Sequence, residues 1–417
     1  MAGTLQTLIL SPATSATVRL RPRNARFSSH GDRLSVRPVN IGPHRSISPP
    51  VRASGASPGQ VGGNDYAPKI PGKVKAGNPF SKFVADNFLP LALIGGVALG
   101  LANPTPGCLA DRYYLSKFST FGIFIISGLT LRSGEIGAAA EAWPVGMFGL
   151  GSILLFSPYF SKLILQIQLQ PQEFVTGLAL FSCMPTTLSS GVALTQLAGG
   201  NSALALAMTV ISNLLGILLV PFSISKFIAD GVGVTVPTKQ LFKSLVLTLL
   251  IPLILGKILR ESFRGLADFV DNNRKLFSRI SAVFLSLVPW IQVSRSRSLL
   301  LMVQPAMFLV AIGTGTVLHL ILLASNAFAI QCLSTVTGGS QSVFAKKENA
   351  NAALLVASQK TLPVLVAVVE QLGGAFGESG LLVLPCVAAH LIQIIMDSFL
   401  VNFWLRKDAA SDSLKVA

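Results

Sequence analysis

Residues Thr187–Gly200 read TLSSGVALTQLAGG, and residues Thr361–Gly374 read TLPVLVAVVEQLGG. Aligned without gaps, the two stretches share a Thr, a Leu, a Val, an Ala and two closing Gly. Each sits beside a helix breaker and a run of polar residues: Cys183-Met184-Pro185-Thr186 leads into the first, and Ser358-Gln359-Lys360 leads into the second, which itself carries Pro363. Both stretches lie inside apolar segments. Proline within a helix removes a backbone hydrogen bond and clashes with the preceding turn. In hydrocarbon, the polar groups so released must face protein or a wet cavity.

Outward from these two breaks, the chain reads as a succession of apolar segments. Ten are expected: Phe83–Asn103, Leu115–Leu131, Trp143–Leu165, Phe174–Leu197, Ala203–Ile228, Leu241–Leu259, Leu276–Val293, Met302–Ile330, Ala350–Leu372 and Leu381–Leu405. A helix needs about 17–25 apolar residues to cross a bilayer. The 417-residue chain has a mean hydropathy of +0.63 and 12% charged residues, against about 25% in soluble domains. Too few charges remain to coat a surface in water. The expected fold class is therefore an all-α membrane protein. The two breaks fall in the fourth and ninth segments, the same place in two halves of five. An odd number of crossings inserts the second half upside down, so the expected architecture is two inverted five-helix repeats, residues 78–230 and 238–405, within a transporter domain of residues 78–405. A short C-terminal tail, residues 406–417, follows.

The formal net charge of +16 does not point to nucleic acid. Much of the excess lies before Phe80, where eleven Lys and Arg face only Asp32 and Asp65. No basic helix with interleaved aromatics carries the rest. Residues 1–77 are rich in Ser, Arg, Pro and Gly and poor in acids, which is the pattern of an organelle transit peptide followed by a linker. The Met-Ala start and Val51-Arg52-Ala53 are similar to plastid transit peptides, so the expected location is the plastid envelope, inner membrane by preference. Basic residues of the sixth-to-seventh loop (Lys257, Arg260, Arg264, Arg274, Lys275, Arg279) share a side with the N-terminus in a ten-span layout, and the positive-inside rule places that side in the stroma. Cys108, Cys183, Cys332 and Cys386 are far apart and suggest neither a metal cluster nor a disulfide framework; the last three lie in apolar stretches and read as buried free thiols.

Short or Gly/Pro-interrupted segments at matching positions of two halves mark the binding site of a secondary transporter. Half-helix N-termini expose N–H groups suited to a carboxylate, and freed carbonyls and hydroxyls suit a small cation. The candidate site therefore comprises Thr186, Thr187, Ser189, Ser190, Gln359, Lys360 and Thr361, with Thr209 and Asn213, which share a face at i and i+4. Pro185, Gly191 and Pro363 are the expected break points. The hydroxyls either ligate a solute or cap freed carbonyls. Asn213 either ligates or bonds a neighbouring helix. Lys360 is the charge within the central region of the ninth segment, where burial costs several kcal/mol. It binds an anionic substrate, takes the place of a cation, or pairs with a buried carboxylate, for which Asp397 is the candidate. His319 and His390 read as hydrogen-bonded packing residues. Gly199-Gly200 reads as a tight turn. No catalytic triad, metal-ligand spacing or phosphate-binding loop is found, so an enzyme is not expected.

At these residues the chain resembles the bile acid:sodium symporter family, and within it the plastidial sodium/metabolite cotransporters. The resemblance runs from about Pro79 to Leu405. It rests on the ten-segment layout, the Pro185–Gly191 break, Gly200-Asn201, the Thr209–Asn213 face and the Gln359–Pro363 break. It implies a panel domain, a core domain with the fourth and ninth helices crossing at their unwound centres, and sodium-driven carriage of bile acids, pyruvate and other organic anions. For the metal, the resemblance implies Ser190 and Thr209 as sodium ligands; Gly191 and Ala205 stand where the family has Asn and a hydroxyl. The family's ninth helix carries a Glu and a Gln; here Ser358-Gln359-Lys360-Thr361 has no carboxylate. The expected function is alternating-access transport of a small organic anion, with Na+ as coupling ion and no other cofactor. An uncoupled or proton-coupled facilitator and a membrane-embedded regulatory or scaffold protein remain open beside it. Substrate identity and oligomeric state are not legible.

Overall fold

A computed structural model describes residues 88–132 and 140–416, together with Val84. The segment read as transit peptide and linker lies outside these residues, as does the start of the first apolar segment.

Among the described residues every regular element is a helix. Phe88–Ala102 (α1) turns through 102° into Pro104–Arg112 (α2), where Asn103 Oδ1 accepts from Thr105 N at 3.1 Å. Leu115–Thr130 (α3) and Trp143–Ile164 (α4) follow. Gln172–Ser182 (α5) and Ser190–Leu197 (α6) are the two halves of the interrupted fourth segment. Then come Ser202–Val232 (α7), Thr238–Ser262 (α8), Arg264–Asn272 (α9), Arg274–Arg295 (α10), Arg297–Met302 (α11) and Pro305–Val336 (α12). Lys347–Ser358 (α13) and Leu362–Leu372 (α14) are the halves of the ninth segment, and Ser379–Val416 (α15) closes the chain.

Seven helices, counting α13 with α14 as one, are long and apolar enough to cross a bilayer, against the ten spans expected. The three others have identifiable reasons to fall short. The described part of α1 has 15 residues, α3 has 16, and the fourth segment is divided into pieces of 11 and 8 by seven unwound residues. Unexpected short helices α2, α9 and α11 occupy stretches read as connections. The last helix continues through most of the stretch read as a tail, and Lys347 pairs there with Asp408.

The helices pack in two groups. In the first, α1, α3, α8 and α10 lie against one another. Small residues permit this: a Cβ on Gly128 would lie 2.1 Å from the Leu253 carbonyl, and one on Gly256 2.2 Å from that of Ile125. Close backbone approach at small residues is the usual way for helices to associate in lipid, where apolar burial gives no driving force. In the second group, α13 and α14 are sheathed by α4 to α7, α12 and α15, and α14 also packs against α3 and α8 of the first. Leu218, Phe222, Phe328, Phe399 and Phe403 point outward, as expected of a surface solvated by lipid tails. Cys183 and Cys386 are buried, whereas Cys332 is exposed on the outer side of α12. An apolar stretch implies an apolar environment, and for Cys332 that environment is the outer surface and not the protein interior.

Candidate functional site

The unwound segments are Cys183–Ser189 and Gln359–Thr361. Two expected break points thus belong to helix starts. Pro363 sits in the first turn of α14, where a missing N–H leaves no bond unmade. Gly191 is the second residue of α6. Pro185 lies within the break itself. The turn Gly199-Gly200 closes α6 with Gly199 at φ +64°, and Gly373, its counterpart in the aligned stretch, closes α14 at φ +57°.

The two breaks meet. Thr361 N donates to Pro185 O at 2.9 Å. Thr186 Oγ1 donates to Val356 O at 2.5 Å. Thr187 Oγ1 and Ser190 Oγ both donate to Gln359 Oε1, at 2.8 and 2.9 Å, and Thr187 Oγ1 also accepts from Gly191 N at 3.1 Å. The first turn of α6 is thereby capped across the break. Gln359 is held in turn: its Nε2 donates to Asp397 Oδ2 at 2.6 Å, and Asp397 Oδ1 lies 2.9 Å from His319 Nε2. Asp397 is thus committed to an amide and an imidazole and does not pair with Lys360, contrary to the carboxylate partnership considered from sequence.

Lys360 is held elsewhere. Its backbone pairs with one side chain, Gln393, which accepts from Lys360 N at 3.1 Å and donates to Lys360 O at 2.7 Å. That amide replaces the helical bonds missing at the break. His390 Nδ1 also lies 3.1 Å from Lys360 O. The ammonium reaches α4, donating to Ile153 O at 3.1 Å and to Ser157 Oγ, and it donates to Met184 O at 3.0 Å. Sequence reasoning missed Gln393, Ser157 and the structural role of Asn326, which joins Ser152 Oγ (2.6 Å) to Ser358 Oγ (3.0 Å). Gln393 and Asn326 carried a signal, being amides in apolar helices; the carbonyls of Ile153 and Met184 carried none.

A cavity of about 370 Å³ opens beside the crossing. Thr187, Ser189, Ser190, Thr209, Asn213 and Thr361 line it, so six of the nine candidate site residues share one wall; Thr186, Gln359 and Lys360 lie behind it. Three of the lining residues each carry a side-chain oxygen buried without a partner: Thr209 Oγ1, Asn213 Oδ1 and Thr361 Oγ1. Asn213 spends its Nδ2 on Thr186 O (3.0 Å) and Thr209 O (2.8 Å), which aims its oxygen away from those carbonyls. An unpartnered buried oxygen costs about 1–3 kcal/mol, and each of the three is free to accept from a cation or a hydrogen-bond donor. The facing wall comes from the first helix group and includes Ile123, Phe124, Leu249 and Leu285, with Arg274 and Ser278 toward one end. Among the described residues no carboxylate lines the cavity.

The cavity reaches exposed residues at the Arg274 end of α10. At the opposite end of α3 and α10, Glu370 of α14 accepts from Ser116 Oγ and from Gln292 Nε2 (3.3 Å), drawing the two helix groups together. Near the Arg274 end, Asp271 is shared by Arg260 at 2.8 Å, Arg132 at 3.0 Å and Arg274 at 3.5 Å. The Arg260 hydrogen bond, with help from Arg132, holds its carboxyl down to about 2.

Residues 86–406 match the model of the SBF-like CPA transporter family. The chain is 70% identical over 331 residues to "Probable sodium/metabolite cotransporter BASS4, chloroplastic" of Arabidopsis thaliana, covering 79% of this chain and 75% of that one. It is 67% identical over 326 residues to the protein of the same name from Oryza sativa subsp. indica, covering 78% and 77%. It is 26% identical over 298 residues to "Sodium/bile acid cotransporter 7" of Xenopus tropicalis, covering 71% and 83%.

Proposed function

The chain belongs to the SBF-like CPA transporter family, and from that premise we propose that it is a sodium-coupled carrier of a small organic anion in the chloroplast envelope, working by alternating access. The observation that carries the reading is that three residues lining a cavity at the crossing of two interrupted helices each hold an unpartnered oxygen: Thr209 Oγ1, Asn213 Oδ1 and Thr361 Oγ1. Oxygen donors without a bound hydrogen-bond partner suit a hard monovalent cation. In this reading Ser190 and Gln359 stand beside the ion, and the first turns of α6 and α14 face the anion with their N–H groups. The ten-span arrangement in inverted halves, with a transit peptide before it, belongs to the same proposal. The matched left-handed glycines Gly199 and Gly373 support the repeat. The cavity's reach to exposed residues near Arg274, and the Glu370 contact at the opposite end of α3 and α10, support a carrier caught facing one side.

The relatives' printed names, sodium/metabolite and sodium/bile acid cotransporters, favour sodium as the co-substrate. A second reading, carriage without sodium, is favoured by the cavity wall having no carboxylate among the described residues. Reconstitution into proteoliposomes separates the two. Uptake of labelled pyruvate, taurocholate and a panel of small organic anions is expected to rise when an inward sodium gradient is imposed. Uptake that ignores sodium but follows a proton gradient, or neither, would replace the sodium reading. Absence of uptake across the panel would favour a non-transporting role.

A further inference from the structure

Lys360 is 1% exposed, yet its ammonium meets no carboxylate among the described residues. Burying an unpaired charge at bilayer depth costs several kcal/mol, so the surroundings must supply an equivalent of hydration. They do so with three neutral oxygens from two directions: the carbonyl of Ile153, the hydroxyl of Ser157 and the carbonyl of Met184. The carbonyls are released by irregular backbone. Ile153 belongs to the π-helical turn Ser152–Phe156, and Met184 immediately precedes Pro185 in the unwound segment. Ser157 is oriented by donating its proton to Ile153 O at 2.7 Å, which leaves its lone pairs toward the ammonium. Carbonyl and hydroxyl oxygens converging without an anion are the means by which proteins replace the hydration shell of a monovalent cation.

Two other roles for Lys360 fail on geometry. It does not line the cavity, so it makes no direct contact with a solute there. Asp397, the carboxylate considered as its partner, is engaged by Gln359 and His319. What remains is a side chain whose backbone is fixed on both sides by Gln393 and whose charge is delivered into an oxygen cage.

We infer that the Ile153–Ser157–Met184 cage is a monovalent-cation site that Lys360 occupies permanently, so that the carrier draws one coupling cation fewer from solution than its crossing has places for. The inference rests on the cation-coupled reading above. A tethered cation holds the two broken helices as a bound ion would, but it does not leave during the cycle and carries no charge across the membrane.

The test is the binding of radiolabelled sodium to the purified full-length chain in detergent. Lys360→Ala removes the propylammonium portion of the side chain and opens the cage. It is expected to bind one more sodium per chain than the wild type, and n-propylammonium is expected to compete for that extra site and raise the melting temperature, while choline, too large, does neither. Lys360→Met, which refills the cage without charge, is expected to retain the wild-type sodium count. Equal sodium counts for wild type and Lys360→Ala, with no response to n-propylammonium, overturn the inference. The two readings separate. A wild type that binds no sodium while Lys360→Ala gains one keeps the cage and removes sodium coupling. A wild type that binds sodium with no gain in Lys360→Ala keeps coupling and removes the cage. Should Lys360→Ala and a second small variant, Lys360→Ser, accumulate only in sodium or n-propylammonium, the cage is supported. Failure to accumulate in any salt makes Lys360 a structural prop and overturns it.

Discussion

Thr361 N–H donates to the carbonyl of Pro185 at 2.9 Å. The two interrupted helices are therefore bonded backbone to backbone at the point where each has lost its own hydrogen bonds. Pro185 O cannot continue α5 because the chain unwinds after Ser182, and Thr361 N lies one residue before α14. Each break satisfies part of the other, which explains how irregular backbone persists where neither water nor lipid supplies a partner.

Removal of an unpartnered oxygen separates function from stability. Thr209→Val keeps the shape of the side chain and deletes an atom that makes no hydrogen bond. Its thermal stability is expected to equal or exceed the wild type's. Half-maximal activation by sodium is expected to move to at least about tenfold higher concentration, equivalent to roughly 1.4 kcal/mol. A sodium titration of uptake, run beside a melting curve, reads both. Unchanged sodium activation would exclude Thr209 as a ligand.

The Asp397 carboxylate orients Gln359, and its loss is felt at two donors. Asp397→Ala strands Gln359 Nε2 and His319 Nε2, both buried. Each stranded donor costs about 1–3 kcal/mol, so the melting temperature is expected to fall markedly. Asp397→Asn retains one acceptor and is expected to lose less. Equal melting temperatures for the two variants would refute this division of roles.

Close helix approach in the first group is intolerant of side chains. Gly128→Val and Gly256→Val each place atoms within 2.1–2.2 Å of a facing carbonyl. Overpacking of this kind costs about 1–3 kcal/mol or more, and reduced yield of monodisperse protein is the expected readout. Gly95→Ala meets nothing within 4 Å and is expected to be neutral. A monodisperse, wild-type-like Gly128→Val would show that α3 and α8 can separate freely.

The Asp271 cluster has a defined pH window. Its carboxyl is held down to about 2, below the unfolded value near 3.9. A depressed acid contributes stability above its unfolded pKa and loses it as pH falls through the folded one. The stability difference between wild type and Asp271→Asn is therefore expected to be flat from neutrality to about pH 4 and to shrink between about 4 and about 2. Its size is expected to be about 1 kcal/mol or less, because the partners are partly solvated. Melting curves across that range check it; a difference that grows on acidification would reverse the sign.

Much of the site was legible before any coordinates. Hydroxyls and amides beside proline in apolar segments have few explanations, and six of the nine candidates do line one cavity. The paired glycine endings also predicted real geometry, since Gly199 and Gly373 both take left-handed backbone, which a Cβ disfavours. The span count was less secure. Hydropathy reads a continuous apolar run where the chain is in fact broken into α5 and α6, and it ends the first segment at Asn103 without registering the helix α2 beyond the bend. Cys332 shows the same limit: apolar neighbours in sequence do not tell protein interior from lipid-facing surface.

By itself, the sequence determined that this chain is solvated by a membrane and that polar residues gather at two matched interruptions, because charge scarcity and breaker spacing are local properties of the chain. Only the tertiary structure decided who partners whom there. Asp397 goes to Gln359 and His319, and Lys360 goes to two carbonyls and a hydroxyl. Backbone carbonyls are present at every position and leave no mark in a sequence, so whether a buried ammonium meets an acid or a cage of neutral oxygens depends on how distant helices cross.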